Sequence, residues 1–146
     1  MQVRTPMTRN VIVVPPALSV GDAWGILQRE NIRHLPVVSH SKIVGMISDR
    51  DLLRVGDFLP TRELAFWEQS VGEVMSKTPI VCSPSATVAA AARLMTEKKI
   101  DALPVVSGQQ LVGLVTSTDL LLLLADWAPE HALPFDFRVL EATFAA

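Results

Sequence analysis

Apolar residues recur at helical spacing in two stretches of the chain. Each stretch begins at a hydroxyl residue suited to capping a helix, Ser19 or Thr87, and in the first Asp22 follows three residues later. Beyond these caps, apolar residues fall at positions i, i+3, i+4 and i+7 of a helix. They are Val20, Ala23, Trp24 and Leu27 in the first stretch, and Val88, Ala91, Ala92 and Met95 in the second. The pattern predicts two amphipathic helices.

Short runs rich in β-branched residues flank these helices and predict strands. A brief run precedes each helix, "NVIVV" at 10–14 and "PIVCS" at 79–83. Two longer runs follow each helix: "HLPVVS" and "KIVGMI" at 34–39 and 42–47, then "ALPVVS" and "QLVGLV" at 102–107 and 110–115. Further short helices are expected to start at Ser48 and Thr116. The predicted order is β-α-β-β-α, twice.

The two halves are copies of one pattern. "KIVGMISDRDLL" at 42–53 matches "QLVGLVTSTDLL" at 110–121, and the same offset of 68 gives 17 identities over residues 7–53 without a gap. A duplicated unit of this kind predicts one pseudo-symmetric α/β (α+β) domain built from two β-α-β-β-α repeats. We expect a first repeat with its connecting insert at 1–62, a second repeat at 63–125, and a tail at 126–146.

Seven of the eight aromatic residues lie in two segments outside the repeats. The insert 54–68 contains Phe58, Phe66 and Trp67, and the tail 126–146 contains Trp127, Phe135, Phe137 and Phe144. These segments either cover the ends of the core or form a surface for self-association, because aromatic residues are enriched at interfaces. The sequence gives the two alternatives about equal weight, and a homodimer with such a segment at or beside its interface is the sharper one.

Composition excludes several classes of function. A net charge of −2 gives no basic surface for nucleic acid or an anionic membrane, and the longest leucine run, 120–124, is too short to cross a bilayer. Cys82 is the only cysteine, which fits a reducing compartment. The three histidines lack metal-ligand spacing, and no phosphate-binding loop or nucleophile–base pattern is present. We expect a cytoplasmic protein that is not an enzyme and has no metal.

The paired motif identifies a family. Two β-α-β-β-α copies, each with an "LPVV" strand followed by Gly-h-h-Ser/Thr-x-x-Asp (h, apolar), resemble a tandem pair of CBS domains, a Bateman module. The chain is most similar to stand-alone bacterial CBS pairs and to the CBS part of acetoin-utilisation-type proteins. The resemblance implies two clefts between the repeats that bind an adenosyl ligand: AMP, ADP, ATP or S-adenosylmethionine. It also implies pairing into dimers and a regulatory role.

The resemblance assigns the ribose to Asp51 and Asp119, because a carboxylate can accept hydrogen bonds from both ribose hydroxyls. Ser48 and Thr116 stand three residues earlier, at the same helix starts, and Gly45 and Gly113 would let a ligand approach the backbone closely. The spacing alone favours a second interpretation. Ser48-x-x-Asp51 and Thr116-x-x-Asp119 are also capping boxes, and the two roles can coexist.

Phosphate contacts are expected mainly in the first copy. Arg50, at a position that is often basic in the family, matches Thr118, while Arg33 and His34 match Asp101 and Ala102. The clefts should therefore be unequal, with the stronger nucleotide site at Asp51 and Arg50. Taken singly, each cation fits a solvated surface charge better than a ligand contact, and only together do they indicate unequal sites.

The family positions also give expected adenine walls. They are Asn10, Ile12, Pro36 and Val37 for one site, and Thr78, Ile80, Pro104 and Val105 for the other. The apolar members can equally be core strand residues, most clearly Val37 and Val105.

These patterns leave open three classes of function. The leading one is a regulatory sensor of adenosyl nucleotides, acting on a protein that the sequence does not identify. The second is a structural module that dimerises or docks onto an enzyme or transporter with its clefts empty. The third, an enzyme acting on nucleotides, lacks visible catalytic residues.

Overall fold

The computed structural model describes residues 1–58 and 64–127, with the side chains of 54–58 excepted. In chain order the elements are α1 (Val20–Arg29), β1 (His34–Ser39), β2 (Lys42–Ser48), α2 (Asp49–Phe58), α3 (Leu64–Glu68), α4 (Val71–Val74), β3 (Ser76–Lys77), α5 (Val88–Lys98), β4 (Ala102–Ser107), β5 (Gln110–Thr116) and α6 (Ser117–Trp127). The α+β fold is confirmed, with two repeats related by pseudo-twofold symmetry.

The two hairpins have the same register, which confirms the internal repeat. In the β1–β2 pair His34 lies opposite Ser48, and in the β4–β5 pair Ala102 lies opposite Thr116, at the offset of 68. Each hairpin carries an irregularity at the same place, between Val37 and Val38 or between Val105 and Val106. Residues 43–47 and 111–115 are therefore structurally equivalent.

The brief strands expected at 10–14 and 79–83 shrink to one bridging residue each. Val14 pairs in parallel with Val37, through hydrogen bonds to the Pro36 carbonyl (3.1 Å) and from the Val38 N–H (2.9 Å). A parallel ladder extended in either direction would need N–H donors from Pro36 and Pro16, and proline has none. Cys82 bridges Val105 in the same way in the second repeat.

The segment that leads into each repeat crosses to the other repeat's hairpin. Thr8 exchanges hydrogen bonds of 2.8 and 2.9 Å with Leu114 of β5. At the equivalent place, β3 pairs with Gly45 and Met46 of β2. The two sheets are thereby held together by an exchange of short segments.

Glycine is required where these segments cross. A Cβ atom on Gly45 would lie 2.8 Å from the Ser76 carbonyl oxygen, and one on Gly113 would lie 3.0 Å from that of Thr8. Both distances are below ordinary van der Waals contact, so any side chain would push the crossing segment away. The close approach that we expected a ligand to make at these glycines is made by the chain itself.

The exchange also builds two hydrophobic cores from both parts of the chain. The core around β1 and β2 includes Phe66 and Val71, and the core around β4 and β5 includes Val3 and Met7. Each core therefore contains residues from both 1–62 and 63–125.

The aromatic residues of the insert cover the first core. Phe66 is 5% exposed, and its ring lies 5.3 Å from that of Trp67, which in turn lies 6.1 Å from that of Trp24 on α1. Of the two alternatives for the aromatic residues of the insert, α3 therefore adopts the first: it covers the end of the core. Trp127, by contrast, is 81% exposed at the end of α6. The side chain of Phe58 and residues Phe135, Phe137 and Phe144 lie outside the described part of the chain.

Candidate functional site

Two clefts lie between the repeats at equivalent places. One, of about 300 Å³, is bordered by Thr116 and Asp119 and is called here the Asp119 cleft. The other, of about 180 Å³, is bordered by Ser48 and Asp51 and is called the Asp51 cleft. Each cleft combines the helix start of one repeat with the segment that precedes the first hairpin strand of the other. Those segments are 31–34 for the Asp119 cleft and 99–102 for the Asp51 cleft.

Local structure explains why these residues reach the clefts. Helices α1 and α5 both end in a residue with left-handed backbone, Asn31 (φ 51°) and Lys99 (φ 55°), which is a common way for a helix to stop. The chain then turns into β1 or β4 along the cleft wall. On the opposite wall, β2 and β5 run directly into α2 and α6. The N-terminal N–H groups of those helices are a favourable environment for anions.

The Thr116 motif is a complete capping box. The N–H and hydroxyl of Thr116 donate to Oδ2 of Asp119 at 2.8 and 2.9 Å, and the Asp119 N–H donates to the Thr116 hydroxyl at 3.2 Å. One carboxylate oxygen of Asp119 is therefore committed to the helix start.

The Ser48 motif is only half of such a box. The Asp51 N–H donates to the Ser48 hydroxyl at 3.1 Å. Within the described part of the chain, no donor reaches the Asp51 carboxylate. Neither of its oxygens accepts a hydrogen bond from a described residue, so the described parts of the two repeats use the same motif differently.

The predicted phosphate cation already has a partner. Nη2 of Arg50 lies 3.3 Å from Oδ2 of Asp101, an ion pair that joins the two repeats across the Asp51 cleft. Nε of Arg33 lies 3.7 Å from Oδ2 of Asp49. Arg33 borders both clefts, whereas Arg50 borders only the Asp51 cleft of the two.

His34 also borders both clefts. Burial lowers the pKa of His34 from its ordinary value, and the neighbouring Arg33 guanidinium lowers it further. The carboxylates of Asp49, Asp101 and Asp51 act in the opposite direction and are outweighed. The imidazole is therefore neutral near pH 7 and can offer one donor and one acceptor to a ligand.

The structure gathers most of the predicted site residues at the clefts. The residues found there are Asn10, Ile12, Arg33, His34, Thr116 and Asp119 in one cleft, and Ser48, Arg50 and Asp51, again with Arg33 and His34, in the other. Asn10 and Ile12 thus come together with the motif of the opposite repeat, because the segment that contains them follows the crossing at Thr8.

Eight predicted residues line neither cleft. Gly45 and Gly113 are occupied with the crossing segments, and Pro36 and Pro104 are fully buried beside the buried Val37 and Val105. Thr78 and Ile80 lie away from the Asp51 cleft. Thr78 has a left-handed backbone (φ 52°), and its hydroxyl donates to the Lys77 carbonyl at 2.6 Å. The left-handed backbone at Thr78 has no counterpart at the equivalent Asn10.

Sequence reasoning missed several contributors to the clefts, among them Lys99, Asn31, Thr8 and Asp101. Lys99 is the most consequential, since it adds a third cation to the Asp51 cleft. The matched pairs Arg33/Asp101 and His34/Ala102 could have pointed to Asn31 and Lys99. These two residues also match each other at the offset of 68, and they lie just before the predicted site residues in the same segment of each repeat.

Other chemistry is weak in the part of the chain that the structure describes. No three His, Cys, Asp or Glu side chains are grouped there as a metal site, and no described helix is long and apolar enough to cross a membrane. Burial raises the pKa of the Cys82 thiol, which makes a reactive thiolate less favourable.

A comparison with protein-family models matches the CBS domain twice, at residues 2–57 and 71–126. The chain belongs to the CBS-domain family. Among its relatives, it is 32% identical over 119 residues to the CBS domain-containing protein YhcV of Bacillus subtilis, covering 81% of each chain. It is 37% identical over 112 residues to the inosine-5′-monophosphate dehydrogenase of Korarchaeum cryptofilum, covering 76% of this chain and 22% of that enzyme.

The chain spans about a fifth to a third of the length of the first three curated relatives that it matches. CBS pairs thus occur both as stand-alone proteins and inside enzymes.

Solved structures include close matches to the whole CBS pair. An acetoin utilization protein (AcuB) from Vibrio cholerae superposes with a TM-score of 0.75 at 29% identity, covering 86% of this chain and 91% of that one. The CBS pair of MJ0100, in complex with 5′-methylthioadenosine and S-adenosyl-L-methionine, gives 0.75 at 29%, covering 86% and 97%. CBSX2, in complex with AMP, gives 0.75 at 32%, covering 86% and 96%. The similarity to AcuB-type CBS pairs expected from the sequence is confirmed.

Proposed function

We propose that this protein is a regulatory module that binds an adenosyl ligand between its CBS repeats and has no catalytic activity of its own. The observation that carries the proposal is the placement of Ser48/Asp51 and Thr116/Asp119 at two equivalent clefts. The structural neighbours CBSX2, in complex with AMP, and MJ0100, in complex with S-adenosylmethionine and methylthioadenosine, support this ligand class.

The chemistry of the clefts suits a nucleoside. A carboxylate beside a helix start can accept from both hydroxyls of a ribose, and each such charged hydrogen bond contributes about 1.5–3 kcal/mol. The Asp119 cleft, at about 300 Å³, is at the lower end of the size of small-molecule sites. Its apolar wall at Ile12 and its polar Asn10 fit a purine ring.

A panel of ligands tests the proposal. AMP, ADP, ATP, S-adenosylmethionine and NAD are each added in a thermal-shift experiment. A ligand at about 100 times its dissociation constant should add about 2.7 kcal/mol to the free energy of unfolding. The ligand that raises the melting temperature is then titrated calorimetrically into wild type, Asp51→Ala and Asp119→Ala. We expect each alanine to weaken binding at its own cleft roughly 10- to 100-fold.

The competing function is a docking module whose clefts stay empty. The observation that favours it is the outer face of α6, where Leu121, Leu122, Leu124 and Trp127 are 57–81% exposed. Failure of every adenosyl ligand to raise the melting temperature would support this alternative over the sensor.

We also propose that the protein forms a homodimer, with the tail at or beside the interface. The exposed leucines of α6 lead directly into Trp127, and such an apolar patch is unusual on a free surface. Sedimentation should give a dimer at tens of micromolar, and a monomer at that concentration would contradict the proposal. The single partly buried cysteine fits a cytoplasmic location.

A further inference from the structure

The ion pair across the Asp51 cleft places a carboxylate next to Arg50, the cation expected from the sequence to meet a phosphate. Arg50 lies in the first turn of α2, and Asp101 lies just before β4 of the other repeat. Their side chains are 59% and 36% exposed, so a ligand that enters the cleft can reach both. Asp51 borders the same cleft.

Asp101 is held in position by its own repeat. The Ser117 N–H donates to the Asp101 carbonyl at 2.9 Å, and the Ser117 hydroxyl lies 3.4 Å from Oδ1 of Asp101. The other carboxylate oxygen, Oδ2, is the one that meets Arg50. The carboxylate is therefore directed across the cleft by contacts that do not depend on Arg50.

Among the described residues, the Asp119 cleft has no equivalent ion pair. The residues that match Arg50 and Asp101 in the offset of 68 are Thr118 and Arg33. Arg33 instead pairs with Asp49, which matches Ser117. Asp101 thus borders both clefts, but among the described residues its carboxylate pairs with a cation only across the Asp51 cleft.

We propose that Asp101 determines the charge specificity of the Asp51 cleft, by competing with a ligand's phosphate for Arg50. This inference rests on the proposed binding of an adenosyl ligand. A ligand with an uncharged 5′ end leaves the ion pair intact. A 5′-phosphate must displace the Asp101 carboxylate from Arg50, and it then lies close to a like charge. The three cations Arg33, Arg50 and Lys99 of the cleft therefore favour a 5′-phosphate less strongly than they would without Asp101.

The test measures the ratio of AMP to adenosine affinity in the Asp51 cleft. Calorimetric titrations are made with full-length protein that carries Asp119→Asn, so that only the Asp51 cleft keeps its ribose carboxylate. In this background, Asp101→Asn preserves the shape of the side chain and removes its charge. We expect AMP to bind about two- to fivefold more tightly and adenosine to bind unchanged, which is the range for ion pairs of this exposure.

Arg50→Ala identifies the route. If Asp101 acts through Arg50, the gain in AMP affinity from Asp101→Asn should disappear when Arg50 is alanine. Glu97→Gln is the matched control, because it removes the same charge from an exposed site on α5 and should leave the ratio unchanged. Melting curves of each variant without ligand verify that the fold is retained.

Each outcome bears on a distinct conclusion. An unchanged AMP-to-adenosine ratio in Asp101→Asn, or a gain that persists in Arg50→Ala, would overturn the inference and leave the proposed function standing. The same holds if adenosine binds wild type but not the Asp119→Asn background, because ligand would then use only the Asp119 cleft. Failure of adenosine and AMP to bind wild type would overturn this inference, and failure of ADP, ATP and S-adenosylmethionine as well would overturn the proposed function with it.

Discussion

The same substitution at two equivalent positions, Asp51→Ala and Asp119→Ala, should have unequal effects on stability. The Asp119 carboxylate accepts hydrogen bonds from the N–H and hydroxyl of Thr116 at 2.8 and 2.9 Å. The Asp51 carboxylate accepts none from the described residues. Both carboxylates lie in the first turn of a helix and share any favourable interaction with its dipole. The difference between the variants therefore isolates the capping bonds.

The expected magnitude follows from those bonds. Loss of a helix-capping side chain costs about 1 kcal/mol, within a range of roughly 0.5–2. We expect Asp119→Ala to lower the free energy of unfolding by about 1 kcal/mol more than Asp51→Ala does. For a domain of this size, that difference corresponds to roughly 4 °C in melting temperature.

Urea unfolding without ligand measures the difference, provided that the slopes of the transitions agree. Ser48→Ala and Thr116→Ala are the matched controls. Each removes a hydroxyl that accepts from an N–H, of Asp51 at 3.1 Å and of Asp119 at 3.2 Å. The losses of stability in Ser48→Ala and Thr116→Ala should differ less than the losses in the two aspartate variants. The only further hydrogen bond that Thr116→Ala removes is the one from the Thr116 hydroxyl to the Asp119 carboxylate. Equal losses in the two aspartate variants would refute the asymmetry.

Three further outcomes are expected. Gly45→Ala should lower the free energy of unfolding by about 1–3 kcal/mol in urea, because its Cβ would lie 2.8 Å from a carbonyl oxygen, whereas Gly25→Ala, with nothing within 4 Å, should not destabilise. The pKa of His34 is lower in the folded state than its ordinary value of 6.5, so the contribution of His34 to stability is complete above pH 6.5 and is lost as the pH falls below 6.5. His34→Ala should therefore flatten the decline in melting temperature below pH 6.5. An identical decline in wild type and variant would exclude His34 as the cause of the decline. Leu121→Ser with Leu124→Ser should shift the proposed dimer towards monomer in sedimentation at unchanged helix content, and an unshifted dimer would place the interface elsewhere.

Local sequence pattern was enough to predict what depends on near neighbours. The caps at Ser19 and Thr87, the two hairpins and the helix starts at Ser48 and Thr116 all follow from residues a few positions apart. The repeat then predicted that equivalent motifs would occupy equivalent places.

The pairing between the repeats could not be predicted in this way. The crossing of Thr8 to Leu114 joins residues more than one hundred positions apart, and no local pattern encodes it. That crossing brings Asn10 and Ile12 to the same cleft as Asp119 and sets the Thr8 carbonyl against Gly113, as the Ser76 carbonyl is set against Gly45 in the other repeat. The pairing of Arg50 with Asp101 likewise depends on how the two repeats face each other.

The central claim is that the ribose of an adenosyl ligand binds Asp51 or Asp119 in a cleft between the repeats. A crystal structure tests it most directly, grown with a saturating concentration of whichever of AMP, ADP, ATP and S-adenosylmethionine raises the melting temperature most. We predict that ligand in at least one cleft, with its ribose hydroxyls within hydrogen-bond distance of the Asp51 or Asp119 carboxylate. The ligand absent from both clefts, or bound with its ribose turned away from both carboxylates, would contradict the account.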